Sequence, residues 1–403
     1  MPLPVFSLML VVFGLTTGEF VIAGILPDVA GDLAVPIPAA GLLVTAYAIG
    51  MIVGGPVLTV LTARIARKPL IVGLVGVSVL GNLGSALAPS YAVLLLARGA
   101  AGLVVATFFA VAIATAVATA PEGRQAAGVA KLTVGMNLGI ILGAPIGTVI
   151  GQHLGWRATF GAIAAFSLVA LLLVARYVPA APPAATGSVL GELRVFADRD
   201  VQLAIALTAV GNVGIVTVFS YLAPLLTEVS GFAAGAVPVL LLVYGAGAVL
   251  GNLVGGWLSD RALLPSLAGL LAALAGALAL AWLVSGVRPA VAACTFVLGL
   301  LAFAIVPGMQ LRVVSTASAA PTLAVAVNAS GFQLAAAFAG WLGGQVIDNG
   351  PGPRAIYLVG ALLTAAGLAV AVYALRRDRR DRRDRRAVAR RAVARRAVAD
   401  RAQ

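Results

Sequence analysis

The chain has 403 residues, of which 61% are hydrophobic and only 10% are charged, and its mean hydropathy is +1.07. Soluble domains carry about a quarter charged residues, so a water-soluble fold would leave most of this apolar surface exposed, and the composition indicates a protein that lies in lipid. The single Cys and the single His exclude a disulfide framework, a multi-Cys metal site and haem ligation by a pair of His.

Hydrophobic blocks long enough for a membrane-crossing helix recur along the chain. The N-terminus has no basic region of the kind that begins a signal peptide, so we expect the first block to be retained as a span. The sequence predicts an all-α membrane protein with twelve transmembrane helices, at about 4–27, 38–62, 69–88, 91–119, 130–151, 156–177, 201–227, 235–258, 264–285, 289–314, 321–346 and 354–375.

The first predicted span contains an acidic residue, Glu19, eight residues before Pro27. A charged residue within hydrocarbon is costly and marks a functional site by default. Because burial favours the neutral form of a carboxyl group, Glu19 is the candidate proton carrier. Two alternatives remain open: a structural hydrogen-bond partner, and a carboxylate close enough to the outer interface to be solvated.

The basic residues of the short loops are distributed unevenly, and Lys and Arg on such loops set the topology. Placing the N-terminus in the cytoplasm leaves only Arg157, Arg288 and Arg354 on outward loops. We therefore predict a multi-pass protein of the cell (inner) membrane with both termini in the cytoplasm. The inward loops then carry Arg64, Arg67, Lys68, Arg124, Lys131, Arg176, Arg194, Arg199, Arg261 and Arg312.

The fourth predicted span contains a basic residue, Arg98, which needs a partner if it lies in lipid. Glu19 is the obvious intramembrane candidate for that partner. The alternative is an Arg near the outer end of the span whose side chain snorkels to the interface.

The fifth predicted span carries a glycine at every fourth position, which places these residues along one helical face. Such a face lets a second backbone approach closely, so tight packing is one interpretation and a role in transport is the other. The residues are Gly135, Gly139, Gly143, Gly147 and Gly151, with Pro145 among them.

The two halves of the chain are related by a constant offset of 197 residues, which superposes Pro27 on Pro224, Tyr47 on Tyr244, Arg64 on Arg261 and Arg157 on Arg354. Parallel halves related by an axis along the membrane normal place substrate between them near the midplane. We predict an N-terminal six-helix bundle at 1–177, a cytoplasmic linker at 178–200, a C-terminal six-helix bundle at 201–375 and an Arg-rich cytoplasmic tail at 376–403.

The tail holds 13 Arg and 4 Asp in repetitive triplets and pentads. A solvated low-complexity segment without a specific role is one interpretation, and attraction to anionic lipid is another. A DNA-binding arm is conceivable, but so close to a membrane we expect lipid rather than nucleic acid as the partner.

Uncharged polar and aromatic side chains within the spans are candidates for a substrate cavity that suits a neutral or weakly polar organic molecule. Taken singly, each is more often a packing or hydrogen-bonding residue. The candidates are Phe20, Asn137, Asn212, Tyr221, Gln310 and Asn328.

Several segments resemble motifs of the major facilitator superfamily. Residues 143–147, Gly-Ala-Pro-Ile-Gly, resemble the antiporter motif that separates exporters from importers, although the family has Gly-Pro followed by a Gly pair. Residues 256–261 resemble the loop signature found after the second and eighth helices, whereas the first copy has Ala63 where Asp is usual. Arg98 followed by Gly102 resembles a fourth-helix motif proposed to serve proton transfer.

The whole chain except the tail resembles the twelve-span drug:proton antiporter branch, and in particular actinomycete chloramphenicol-resistance exporters and arabinose and purine-ribonucleoside efflux proteins. The resemblance implies the major-facilitator fold with two pseudo-symmetric six-helix bundles, and antibiotic efflux in exchange for protons. It implies proton coupling by Glu19 and Arg98, with chloramphenicol as the leading substrate. It also implies cytoplasmic gating, for which topogenic charge is the alternative, by Arg64, Arg67, Lys68, Asp260 and Arg261.

Other function classes fit the residues less well. An uptake permease or an exporter of a sugar, nucleoside or other metabolite would share the fold. The sequence has no phosphate loop for an ATP-driven pump, and an enzyme is disfavoured because the spans hold no paired carboxylates. We expect a monomer that needs no cofactor or metal and is driven by the proton gradient.

Overall fold

The computed structural model describes residues 3–62, 64–119, 125–181, 198–316 and 321–401, and the regular structure in these ranges is entirely helical. In the first half of the chain, a π-helical turn at Gly139–Gly143 lies between α7 and α8. The helices of this half are α1 (Leu3–Phe20), α2 (Ile22–Asp32), α3 (Ile37–Leu61), α4 (Arg67–Ala86), α5 (Tyr91–Leu103), α6 (Val105–Thr119), α7 (Gln125–Leu138), α8 (Ala144–Leu154) and α9 (Trp156–Tyr177).

The second half repeats this arrangement with fewer interruptions. A single α-turn (Leu222–Pro224), a π-helical turn (Leu225–Val229) and a 3₁₀ turn (Ala234–Ala236) separate its first two helices. The helices are α10 (Arg199–Ser220), α11 (Val237–Val284), α12 (Arg288–Thr316), α13 (Pro321–Asp348) and α14 (Ala355–Arg401).

The longest apolar helix, α11, contains two membrane crossings. Its backbone leaves helical geometry at Ala262 (φ −156°, ψ 81°). Gly231, just before the helix, lies against the guanidinium of Arg288, just after it, so the two segments of α11 run antiparallel. Ten described helical stretches are long and apolar enough to span a membrane, and two of them combine α5 with α6 and α7 with α8. The second crossing of α11 and the 28-residue α13 account for the remaining two of the predicted twelve.

The 197-residue offset also relates contacts in space. A Cβ atom on Gly54 would clash with the backbone of Leu103, and one on Gly251 would clash with the backbone of Leu300. In the same way Gly102 abuts the Tyr47 backbone and Gly299 abuts that of Tyr244. The second and fourth crossings of each half therefore pack at the same register, which confirms the predicted pseudo-symmetric bundles.

Most of the predicted linker, residues 182–197, lies outside the described residues, as do Ala63 and Arg124. Next to it, the Arg67 amide donates to the Ala181 carbonyl at 3.1 Å. The tail continues the last helix, since α14 runs past the predicted boundary at 375 to Arg401. An ion pair of 3.3 Å between Arg377 and Asp200 joins the start of the tail to α10.

Candidate functional site

Glu19 lies in the last turn of α1, where the first crossing is interrupted before α2 begins. The residue is partly exposed and lines a cavity whose walls come from both halves. The carboxylate atom Oε1 accepts a hydrogen bond of 2.9 Å from Nε2 of Gln333 on α13. The predicted proton carrier is thus bound to the second half of the chain.

A narrow cavity of about 40 Å³ opens beside Glu19 at this junction. Drug-sized ligands occupy pockets of roughly 300–1,000 Å³, so the cavity must expand before it can hold one. The rings of Phe20 and Phe219 meet edge to face across it at 5.6 Å. Besides Glu19 the lining consists of Phe20, Ile22, Ala23, Val44, Val216, Phe219, Ser220, Phe332 and Ala336.

Arg98 on α5 is completely buried and does not snorkel to an interface. Its guanidinium carbon lies 4.4 Å from the ring centre of Tyr47 and 5.4 Å from that of Phe160. Within the described part of the chain, none of its three guanidinium nitrogens has a hydrogen-bond partner. Glu19 is close enough to attract it electrostatically, but no ion pair within 4 Å joins the two described side chains.

The glycine face of the fifth crossing packs against the first crossing of the same half. A Cβ atom on Gly135 would meet Met9, one on Gly139 would meet Thr16, and one on Gly143 would meet Thr17. Further along, Gly147 lies against Val21 and Gly151 against Ile25, while Pro145 is buried. The regular spacing therefore holds α7 and the π-helical turn against α1, which carries Glu19, and α8 against Val21 and α2.

The two halves meet at the end of the bundle opposite the chain termini, which we call the far end. A single apolar cluster there combines Val21 and Trp156 of the first half with Leu226 and Leu241 of the second. Two hydrogen bonds of 2.7 Å also cross the interface, from Thr45 to the Ala337 carbonyl and from Gln152 to the Ala234 carbonyl.

At the other end, where the termini lie (the terminal end), the described residues of each half have their own core. Leu8, Val11 and Ile71 belong to a cluster of the first half alone, and Val201 and Val313 to one of the second half alone. The conformation is therefore closed at the far end.

An acidic residue at the far end, Asp32, fixes the loop after α2. Its carboxylate accepts hydrogen bonds from Arg157 and, at 3.0 Å, from the indole nitrogen of Trp156. These donors, Arg157 foremost, hold the pKa of Asp32 below its usual range.

The predicted gating residues lie at the terminal end but are not joined. Arg64, Asp260 and Arg261 are exposed, and Lys68 is partly buried. Arg67 donates to the Ala114 carbonyl at 3.4 Å. The Arg261 guanidinium stacks on the Trp257 ring at 3.6 Å. Among the described residues Asp260 forms no ion pair, so the predicted latch is not assembled in this conformation.

Of the six predicted cavity residues, Phe20 lines the cavity described above. Asn212 donates to the Thr208 carbonyl at 2.7 Å, and Asn328 accepts from the Thr208 hydroxyl. Tyr221 is fully buried and its hydroxyl donates to the Gly340 carbonyl. Asn137 is partly buried and Gln310 is exposed.

Sequence reasoning missed Gln333 as a site residue. The only signal for it was an uncharged polar residue within an apolar span, which is a common packing feature. Among the described residues no three His, Cys, Asp or Glu side chains are grouped to bind a metal ion.

Comparisons with known proteins show the family of this chain. Residues 8–323 match the model of the Major Facilitator Superfamily. The chloramphenicol resistance protein of Streptomyces lividans is 35% identical over 378 residues, which cover 92% of this chain and 96% of that protein. The inner membrane transport protein YdhP of Escherichia coli K12 is 34% identical over 93% of this chain and 96% of its own length.

The crystal structure of a D-xylose–proton symporter has the same fold, with a TM-score of 0.73 at 17% identity, and covers 93% of this chain and 97% of that chain. The expected fold, two six-helix bundles side by side, is thereby confirmed.

Proposed function

Because the chain belongs to the major facilitator superfamily, a family of transporters, we propose that it exports a small neutral or weakly polar organic molecule in exchange for protons. The observation that carries the proposal is the position of Glu19. It is the only charged residue among the described side chains that line the cavity between the halves. A carboxyl group at that place can take up a proton when the cavity opens to one side and release it when the cavity opens to the other.

The composition of the cavity supports the substrate class. Its walls are apolar and aromatic, so burial of an organic ring system would supply binding energy. The Ser220 hydroxyl and the Glu19 carboxyl are its polar groups, and either can orient a hydroxyl or amide of the substrate. The similarity to a chloramphenicol resistance protein makes chloramphenicol the first candidate.

The direction of transport and the orientation in the cell membrane are part of the same proposal. With both termini in the cytoplasm, as the loop charges favour, the far end is extracytoplasmic. The conformation closed there is the one that would load substrate from the cytoplasm or the inner leaflet. The alternative is that the protein carries its substrate in the opposite direction, as an uptake permease, and measurement of the transport direction distinguishes the two.

Export and its dependence on Glu19 can be tested in a drug-sensitive bacterial host. We expect wild-type cells to resist chloramphenicol and accumulate less of it, and a protonophore to abolish the difference. Glu19→Gln should lose resistance although it is made in normal amounts. Glu228→Gln, at an exposed acidic position of the far end, is the matched control and should behave like wild type.

Accumulation that is unchanged by the protonophore would contradict proton coupling. Normal export by Glu19→Gln would remove Glu19 from the coupling role. A drug and metabolite panel that shows increased uptake instead of efflux would favour the uptake permease.

A further inference from the structure

The hydrogen bond between Glu19 and Gln333 joins residues that lie 314 positions apart, on the first crossing of one half and the eleventh crossing of the other. Around it the contact surface is formed by small side chains, since Ala48, Ala336 and Ala337 form a cluster that spans the halves. The amide of Gln333 and the carboxyl group of Glu19 therefore form a polar link between two side chains at this level of the interface, beside the hydrogen bond from the Thr45 hydroxyl to the Ala337 carbonyl.

The amide of Gln333 is only half satisfied. Nε2 donates to Glu19, whereas Oε1 is buried and has no hydrogen-bond partner among the described residues. The residue as a whole is 6% exposed, so bulk water does not substitute for a partner. A buried acceptor without a donor is unfavourable, and it calls for a donor in some state of the protein.

An ionised carboxylate cannot supply that donor because it has acceptor atoms only. A protonated carboxyl group has one acceptor and one O–H donor in a plane, which is the complement of a primary amide. Addition of a proton to Oε2 of Glu19 therefore allows an acid–amide pair with two hydrogen bonds. In this pair Nε2–H of Gln333 donates to Oε1 of Glu19, and Oε2–H of Glu19 donates to Oε1 of Gln333, which otherwise has no partner.

The geometry points to Gln333 as the positioning residue through which the second half responds to the protonation of Glu19. The protonated acid holds α1 and α13 together by two hydrogen bonds, and loss of the proton leaves one bond and an unsatisfied carbonyl. Deprotonation thus loosens the halves at the level of the cavity. This inference rests on the proposed proton-coupled export, because it assigns the structural consequence of the same proton.

Other titratable groups near Glu19 do not replace this link. Arg98 and Tyr47 are the described ionisable side chains that interact with it electrostatically. Both belong to the first half, and the Tyr47 hydroxyl donates to the Leu15 carbonyl at 3.3 Å in that half. Neither side chain can transmit the charge of Glu19 to the second half by a hydrogen bond.

The test measures the far-end distance between the halves as a function of pH. Spin labels are placed at Leu154→Cys and Ala233→Cys, which are exposed and lie on opposite sides of the far-end contact, in a Cys294→Ser background. The labelled full-length chain is reconstituted in lipid, and distance distributions are recorded by pulsed electron paramagnetic resonance. In the parent protein we expect the short-distance population to fall relative to the long one, by about fivefold, from acidic to alkaline pH.

Gln333→Met removes both hydrogen bonds at similar volume, and we expect it to abolish most of this pH response. Gln345→Met, the same change at an exposed position of the same helix, should leave the response intact. Glu19→Gln can form an amide–amide pair with Gln333, so its short distance should persist at every pH. Gln333→Asn, which is too short to reach Glu19, replaces Gln333→Met if that variant is not stably folded.

A pH response in Gln333→Met or Gln333→Asn equal to that of the parent would overturn the inference. Loss of the pH response in the control Gln345→Met to the same extent as in Gln333→Met would also overturn the inference. Export assays on the same proteins separate the two proposals. Coupled export with a Gln333-independent distance change refutes the inference alone, whereas a Gln333-dependent distance change without proton-coupled export refutes the proposed function alone.

Discussion

Arg98 is a buried cation whose neighbours are aromatic faces rather than carboxylates. The rings of Tyr47 and Phe160 attract it, but cation–π contacts do not satisfy the guanidinium N–H groups, which lack acceptors among the described residues. Transfer of an ion from water into such a site costs on the order of several kcal/mol. A residue kept at that cost contributes to function rather than to stability.

We therefore expect Arg98→Met to separate stability from transport. Removal of the buried charge should leave the melting temperature of the purified protein unchanged or higher, while drug export falls to the background of cells without the transporter. Thermal unfolding in detergent and drug accumulation in cells measure the two quantities. A variant that melts earlier and loses export in proportion would indicate that Arg98 only supports the fold.

The contrast between Glu19 and Gln333 shows what single residues reveal in a sequence. Glu19 was recognisable because a carboxylate in an apolar span is costly and therefore rare. Gln333 was not, because amides in spans are common and usually bond within the bundle. Their pairing depends on how two distant crossings meet, and no local pattern encodes that contact.

In the first half of the chain, the fifth crossing packs against the first by a regular pattern of small residues. Glycines spaced by four residues on the fifth crossing face Met9, Phe13, Thr17, Val21 and Ile25, which are also spaced by four, on the first crossing. Two helices with matched periods and missing side chains approach closely along their whole length. This packing sets the position of Glu19, since any shift of the fifth crossing moves the first.

Replacement of one glycine on this face should therefore be destabilising. A Cβ atom on Gly143 would lie 2.8 Å from Cβ of Thr17, so we expect Gly143→Ala to cost about 1–3 kcal/mol. Gly161→Ala is the control, because nothing lies within 4 Å of its added Cβ atom and alanine favours the helix. The free energy of unfolding, measured in detergent, should fall for the first variant only; equal values would contradict close packing at Gly143.

Most elements could be predicted from the sequence because runs of apolar residues define crossings directly. The interruptions could not. At the break at Val21 and at the π-helical turns Gly139–Gly143 and Leu225–Val229 the backbone still bonds locally, but in a shifted register: Gly24 donates to the Val21 carbonyl and Ser230 to the Leu225 carbonyl. A run of apolar residues does not specify that register. Pro27 and Pro224 mark two of these regions, since each lacks an N–H group, but a proline does not reveal which irregular turn forms.

As a whole, the molecule is closed at the far end and has separate cores in its two halves at the terminal end. A transporter of this kind must also adopt the opposite arrangement, in which the halves meet at the terminal end. The exposed Arg64, Asp260 and Arg261 are available to pair in that second state. The sequence predicts both halves but not which conformation prevails, because the same residues must stabilise two arrangements of similar free energy.

The exchange of drug for protons is the central claim at this scale, and it can be measured on the purified chain in sealed liposomes. A pH-sensitive dye is enclosed, a pH gradient is imposed, and chloramphenicol is added outside. The account predicts that the drug accelerates the decay of the gradient with wild-type protein and with Glu228→Gln, but not with Glu19→Gln. Chloramphenicol transport that leaves the gradient unchanged, or equal proton flux through Glu19→Gln, would contradict it.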